Sequence, residues 1–305
     1  MQNMQAFVKA LKKVVPEQQV FLDEPMSKHT TFKIGGPADC LVFPASVEDV
    51  TNVFKLIREY AVPFTVLGNG SNVLVLDKGV RGVVVKVNSP FSAIRHEKNH
   101  IFANAGALLA DVSKYAVRCG LTGMEFAVGI PGSIGGAVFM NAGAYDGEIK
   151  NIVQKVTAVN QCGEIVYYTQ ADLQFGYRHS VFQENEQTIC EVEIVLTVGE
   201  PDEIASKMGT LTQKRESRQP LEMPSAGSTF KRPEGYFAGT LIEQTDLKGF
   251  RVGGAQISTK HAGFVVNAGG ATAQDVLDLI KEVQRCVYEK HGVKLYPEVR
   301  MIGEQ

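Results

Sequence analysis

Eight glycines fall within the 28 residues from Gly120 to Gly147, and no other stretch narrows the possible folds as far. Backbone without Cβ atoms can pack against a flat or bulky partner and can adopt φ angles closed to other residues. The stretch contains Gly129-Ile130-Pro131-Gly132-Ser133-Ile134-Gly135-Gly136, followed by Asn141-Ala142-Gly143-Ala144. By itself it reads either as a tight internal loop or as backbone laid against a ligand. Gly132 and Ser133 open a short helix, whose first N–H groups would favour a phosphate. A second turn of this kind, Gly68-Asn69-Gly70-Ser71-Asn72, follows the strand Phe64–Leu67. Its N–H groups can converge on an anion, with Ser71 and the two Asn side chains as further donors. Taken alone it reads as a strand-connecting turn. It is not G-x-G-x-x-G, and the apolar run Val73–Leu76 after it is a strand pattern, not a helix start, which argues against a Rossmann unit. Two such loops in one chain point to a dinucleotide, one holding the pyrophosphate and the other lining a planar ring. A side chain at Gly70 is expected to block the phosphate.

A chain of 305 residues with 44% apolar and 21% charged residues has material for a real core and for about two domains of ~150 residues. With 31 Lys+Arg against 33 Asp+Glu, the net charge is −2. That argues against a large basic nucleic-acid surface and against a polybasic membrane patch. Cys40, Cys119, Cys162, Cys190 and Cys286 are odd in number and widely spaced. A disulfide framework or zinc site is therefore not expected, and a reducing cytoplasm is. Among the six histidines only His96 and His100 are close, so no metal site is expected either. No apolar run approaches the ~18 residues of a membrane span.

The periodicities predict a mixed chain. Phe7, Val8, Leu11 and Val15 form one face of an N-terminal helix, with Lys9, Lys12 and Lys13 outside. Ser46 with Asp49 is a capping-box pattern for a helix to about Tyr60. Strands are predicted at 39–43, 64–67, 73–76 and 82–87, hairpins at 94–104 and 153–168, and one strand at 191–198. Helices are predicted at 108–119, 202–218, 236–245 and from Thr272 to Gly292, and a final strand at 293–302. Short, closely spaced strands make the class α+β. The expected division is a first domain over 1–199, in two mixed α/β subdomains parting near 80–90. A substrate domain follows over 200–291, and a C-terminal strand over 292–305 carries Glu298 and returns to the first domain.

Three further segments carry chemistry. In Phe175-Gly176-Tyr177-Arg178-His179-Ser180, Arg178 is either a surface cation or a fixed guanidinium facing a carboxylate or developing oxyanion. Ser225-Ala226-Gly227-Ser228-Thr229-Phe230 exposes Ser228 to a close-approaching substrate or is a plain turn, and it lacks the G-x-S-x-G of a hydrolase elbow. In Tyr296-Pro297-Glu298-Val299-Arg300, Glu298 is an edge charge or a carboxylate held for acid–base work. Arg215 ends a helix, where a cation is ordinarily favourable.

The order of the segments is more specific than any one of them. Pro44–Val50, Leu67–Val73 and Gly129–Gly136 together resemble the FAD domain of the vanillyl-alcohol-oxidase and p-cresol-methylhydroxylase type. Adding Asn141–Tyr145, Phe175–Arg178, Ala226–Phe230, His261–Asn267 and Tyr296–Val299, the chain resembles the UDP-N-acetylenolpyruvoylglucosamine reductase family over about residues 20–302, in its shorter form. The resemblance implies noncovalent FAD, NADPH as reductant, and reduction of UDP-N-acetylglucosamine enolpyruvate to UDP-N-acetylmuramate for peptidoglycan. It places the catalytic roles on Arg178, Ser228 and Glu298. It places cofactor binding on Gly68, Asn69, Gly70, Ser71, Asn72, Gly129, Gly132, Ser133, Gly135, Gly136, Asn141 and Gly143. Tyr177, Arg215 and His261 match positions near substrate or flavin. Two other readings share the loops: a flavin oxidase that needs neither Ser228 nor Glu298, and a nucleotide-binding protein without catalysis.

Overall fold

A computed structural model describes residues 2–305. Its helices are α1 (Gln2–Val14), α2 (Val47–Tyr60), α3 (Leu109–Arg118), α4 (Ile134–Met140), α5 (Pro201–Arg218), α6 (Ala238–Gln244) and α7 (Ala273–His291). The class is α+β. The chain forms two compact units that interleave along the sequence, where the patterns suggested consecutive blocks. The first takes the residues up to Leu22, Cys40–Asn69 and Gly82–Lys214; the second takes Asp23–Asp39, Gly70–Arg81 and Arg215–Gln305.

In the first unit, α1 buries Phe7, Leu11 and Val15 and leaves its lysines in solvent. The Ser46 hydroxyl accepts the Asp49 N–H at 3.0 Å and caps α2, while the Asp49 carboxylate takes the Ala45 N–H at 2.8 Å. The reciprocal bond of the expected capping box thus lands one residue early. Phe64–Leu67 runs parallel to Val80–Lys86 in a four-stranded sheet, with Leu67 opposite Lys86. An antiparallel five-stranded sheet has the order Ile165–Thr169, Val153–Val159, Thr188–Val195, His100–Asn104, Ile94–Glu97. The single strand expected at 191–198 divides at Leu196: the residues before it pair with His100–Asn104, and Thr197–Val198 pair with Leu121–Thr122. One continuous core joins these elements, from Phe7 and Phe54 to Val138 and Ile194.

The second unit has its own core, built on Phe32, Leu74, Ile242, Ile257 and the buried stripe Val276, Leu279, Ile280, Val283 and Val287 of α7. Its antiparallel sheet has the order Ser225–Ser228, Phe264–Asn267, Ala255–Ile257, Arg251–Val252. The start of α7 is capped twice. Thr272 and Asp275 exchange hydrogen bonds at 3.1 and 3.0 Å, and the Asp77 carboxylate accepts the Ala273 and Gln274 N–H groups. Gly292, at φ +68°, closes the helix. The strand expected over 293–302 is confined to Arg300–Ile302, parallel to Val73–Val75. Pro297 has no N–H to give a ladder, and residues 296–298 instead make single bonds to 229–231.

Replacing Thr272 by Ala removes half of the α7 capping box. It is expected to cost about 1 kcal/mol and, by thermal denaturation, to lower the midpoint by roughly 2–4 °C.

Candidate functional site

The two glycine-rich loops meet in the first unit. Asn69 Nδ2 donates to the Pro131 carbonyl at 2.5 Å. A Cβ on Gly68 would stand 2.6 Å from Ser133 Oγ, and one on Gly135 would stand 2.8 Å from Ala105 Cβ. The loop is tied down from behind by Leu109 N–H to Gly132 O, Ile134 N–H to Ala107 O and Gly135 N–H to Ala105 O, all at 2.8–2.9 Å. Ser133 is buried and caps α4 by accepting the Gly136 N–H. Gly68, Asn69, Gly129, Gly132 and Gly136 remain half-exposed while Ser133, Ile134 and Gly135 are buried. This is open backbone on a rigid support, and it fits the pyrophosphate of a dinucleotide. The N–H groups of Ile134, Gly135 and Gly136 at the start of α4 are all taken up within the protein, so a phosphate there would meet the open backbone of the loop and not the helix end. Upstream, Glu125 is 3% exposed. Burial pulls its pKa up, but the Thr122 hydroxyl, the Gly123 N–H and Lys207 outweigh that and hold it below the usual value.

The other end of α4 holds Arg178. Gly176 and His179 exchange backbone hydrogen bonds at 3.1 and 3.3 Å, which closes a tight turn over Tyr177 and Arg178. Arg178 sits in the left-handed region at φ +56°, with its guanidinium carbon 5.3 Å from the ring centre of Tyr177, itself 55% exposed. The Phe139 carbonyl accepts Ser180 Oγ and Gln183 Nε2, and Gln183 Nε2 also reaches the Arg178 carbonyl at 2.9 Å. Asn141, the left-handed C-cap of α4, donates to the Gly176 carbonyl at 2.9 Å and to Glu148 at 3.2 Å, and accepts the Lys150 N–H at 3.0 Å. Lys150, 2.8 Å from Glu148, is the main cause of the low pKa of that carboxylate; burial opposes it, and Asn141 and the Arg178 charge add to it. Gly143 faces Glu148 across a small hairpin, where a Cβ would stand 2.8 Å from Glu148 Cγ.

The second unit holds Gly70, Ser71 and Asn72, Ser228, Glu298, His261 and Arg215. A side chain on Gly70, at φ +71°, would meet protein before any ligand, with its Cβ 2.3 Å from the His29 carbonyl oxygen. Gly70 therefore meets a packing requirement of the protein itself, whatever the loop binds. Ser225 pairs with Val266 and Ser228 with Phe264, so the strand bulges at Ala226 and Gly227, the latter at φ +77°. Bulges re-aim neighbouring side chains, and Ser228 is exposed. Glu298 N–H donates to the Thr229 carbonyl at 2.8 Å, and Asn72 Nδ2 donates to the Glu298 carbonyl at 3.3 Å. Ser228, Glu298 and Asn72 therefore lie on neighbouring segments of one unit. His261 Nδ1 accepts the Gly263 N–H at 3.0 Å, and burial pushes its pKa down. Burial thus favours the neutral ring, and Nδ1, as an acceptor, leaves the ring proton to Nε2. Arg215 is half-buried in the last turn of α5.

Three charged groups escaped the sequence reading: Glu125, Glu148 and Lys86. The last is 4% exposed, opposite Leu67, and burial lowers its pKa to about 8. A lone cation inside the apolar run Val83–Val87 was the available signal. Among the described residues, no group of three or more His, Cys, Asp or Glu could hold a metal, and no helix is long and apolar enough to cross a membrane.

Comparison with known proteins first defines a class. The FAD binding domain family matches residues 38–168. The fold is shared with p-cresol methylhydroxylase at a TM-score of 0.51 and 13% identity, over 98% of this chain and 66% of that one. The C-terminal domain of UDP-N-acetylenolpyruvoylglucosamine reductase matches residues 219–302. Proteins named UDP-N-acetylenolpyruvoylglucosamine reductase are 52% identical in Clostridium perfringens, over 99% of both chains, and 49% identical in Alkaliphilus oremlandii, over the whole of both. The crystal structure of the Thermus caldophilus reductase superposes with a TM-score of 0.80 at 36% identity, covering 93% of this chain and 98% of that one. The chain belongs to the UDP-N-acetylenolpyruvoylglucosamine reductase family.

Two outcomes test the geometry. Gly70→Ala is expected to cost about 1–3 kcal/mol, read as a lower thermal midpoint in protein stripped of cofactor. An unchanged midpoint there, with cofactor lost, would restore the phosphate explanation. The depressed pKa of Lys86 disfavours the folded state wherever the lysine is charged. That penalty is full below pH 8 and lifts as the pH rises towards 10.5. Wild type is therefore expected to gain up to about 3 kcal/mol on Lys86→Met over that window in denaturant titrations; a constant difference would contradict the burial effect.

Proposed function

We propose that this chain reduces UDP-N-acetylglucosamine enolpyruvate to UDP-N-acetylmuramate, a peptidoglycan precursor, with NADPH as the source of electrons and the cytoplasm as its place of work. The observation that carries this reading is the match along the full length to reductases of that name, covering both the FAD-binding region and the C-terminal domain. The half-exposed backbone of Gly68, Asn69, Gly129, Gly132 and Gly136 on its buried support is the natural holder of the cofactor, with Ser71 and Asn72 as further donors. When bound, FAD accepts a hydride from NADPH and passes it to the substrate double bond.

The residues of the chain supply the rest. Hydride addition at the terminal vinyl carbon leaves an enolate on the substrate carboxylate. Arg178 suits that charge, because a guanidinium does not lose its proton and its donors are directional. Its turn is closed by its own backbone bonds and by Gln183, so little reorganisation is needed as charge develops. Ser228 gives the proton to the adjacent carbon. A hydroxyl is a weak acid, so it works only against a strongly basic carbon and must be reprotonated at once. Glu298, on the segment bonded to Thr229, holds the water that does this; as a carboxylate it has no part in stabilising the enolate. His261, with its proton fixed on Nε2, donates to the substrate, and Tyr177 and Arg215 flank it.

Purified protein is expected to be yellow, to bleach with NADPH under anaerobic conditions, and to recolour on addition of the enolpyruvyl sugar nucleotide. Ser228→Ala should leave the bleaching rate unchanged and slow the recolouring by ~10² to 10⁴. Slow bleaching with normal recolouring would refute the role given to Ser228, and a colourless protein would refute the whole reading.

A further inference from the structure

We propose that Asn141 is a positioning residue for Arg178, which locks the arginine turn to the end of α4, and that its side chain makes no contact with FAD. This rests on the reductase reading above and assigns a role within it. Asn141 is 1% exposed. An Asn side chain offers two amide hydrogens and one carbonyl. Here one hydrogen goes to the Gly176 carbonyl and the other to Glu148, and the carbonyl takes the Lys150 N–H. Both donors are engaged by the protein, so neither is left for a cofactor. Each of the three partners bears on Arg178. Gly176 closes the turn in which Arg178 adopts φ +56°. Glu148 feels the Arg178 charge, and Lys150 holds Glu148 ionised.

The backbone of Asn141 matters as much as its amide. At φ 41° and ψ 59° it ends α4 in a left-handed cap, and the Asn141 and Ala142 N–H groups go back to the Val138 and Ala137 carbonyls. Asn tolerates this conformation because its short polar side chain can bond locally. A second tie is independent of it: the Gln183 amide spans the Phe139 and Arg178 carbonyls. Helix α4 is thus coupled at its far end to the cation through two amide side chains.

The test uses flavin-loaded full-length protein. Asn141→Gly keeps the left-handed cap and removes the amide. By hydrogen–deuterium exchange, segment 174–183 is expected to exchange about tenfold faster, the effect of losing one hydrogen bond of about 1.4 kcal/mol, while segments 64–72 and 129–136 are unchanged. FAD content and the rate of bleaching by NADPH should stay at wild-type values. Recolouring by the enolpyruvyl substrate should slow by up to ~10², as expected of a misplaced catalytic cation. Adding Arg178→Ala should then cost less than it does in wild type, because the two residues act as one unit. If Asn141→Gly does not fold, Gln183→Met removes the other tie and should show the same faster exchange over 174–183 with FAD retained. Loss of FAD with unchanged exchange over 174–183, or strictly multiplicative losses with Arg178→Ala, would overturn the proposal. A wild type that bleaches with NADPH but never recolours would sink the reductase reading, while the exchange data would still decide the role of Asn141.

Discussion

A helix as short as α4, seven residues from Ile134 to Met140, has too few hydrogen bonds to repay its own nucleation. It exists because both ends are clamped. At the front, Ser133 caps it, and the Ala105 and Ala107 carbonyls take the N–H groups of Gly135 and Ile134. At the back, Ser180 and Gln183 satisfy the Phe139 carbonyl, and Asn141 closes the last turn. Its inner face, with Ile134, Ala137 and Val138, is sealed in the core. The front clamp is the glycine loop, and the back clamp is the turn that carries Arg178. Helix, loop and turn are held by the same few hydrogen bonds, and close packing around them explains the crowding of glycine. Gly68, Gly135, Gly143 and Gly147 each face another part of the chain at a distance that no Cβ could occupy.

The second unit exposes Ser228 at a fixed place in its sheet. It does so with a bulge. The register slip at Ala226 and Gly227 leaves Ser228 exposed beside a strand whose other residues pair normally. Pro297 acts on the opposite segment, where it stops a continuous ladder and reduces the pairing with 229–231 to single bonds around Glu298. Both devices withdraw backbone from regular pairing, one beside Ser228 and the other beside Glu298.

Much of this was legible in the sequence. Phe64–Leu67, Val153–Val159 and the Thr272-to-Gly292 helix follow from apolar spacing and caps that act locally. Strongly local signals survive tertiary packing, and for that reason the glycine loops and the α4 cap at Ser133 could also be read. The failures were non-local. The strand predicted at 293–302 has the right composition but lacks a partner ladder through Pro297. The His29 carbonyl packed against Gly70 leaves no trace in the local sequence pattern. Lys86, Glu125 and Glu148 went unremarked, since an isolated charge in sequence looks like surface until the fold buries it. Parallel pairing of Val73–Val75 with Arg300–Ile302 joins segments from opposite ends of the chain, and no local signal marks Asp23–Asp39 and Gly70–Arg81 as belonging with the C-terminal residues.

The most direct measurement of the central claim, that α4 is held between a cofactor loop and the arginine turn, is a crystal structure of the flavin-loaded protein. The account predicts density for a pyrophosphate against the half-exposed backbone of Gly68, Asn69 and Gly129–Gly136, with the Asn141 amide still on Gly176 and Glu148. A pyrophosphate bound elsewhere, or the Asn141 amide turned onto the flavin, would contradict it.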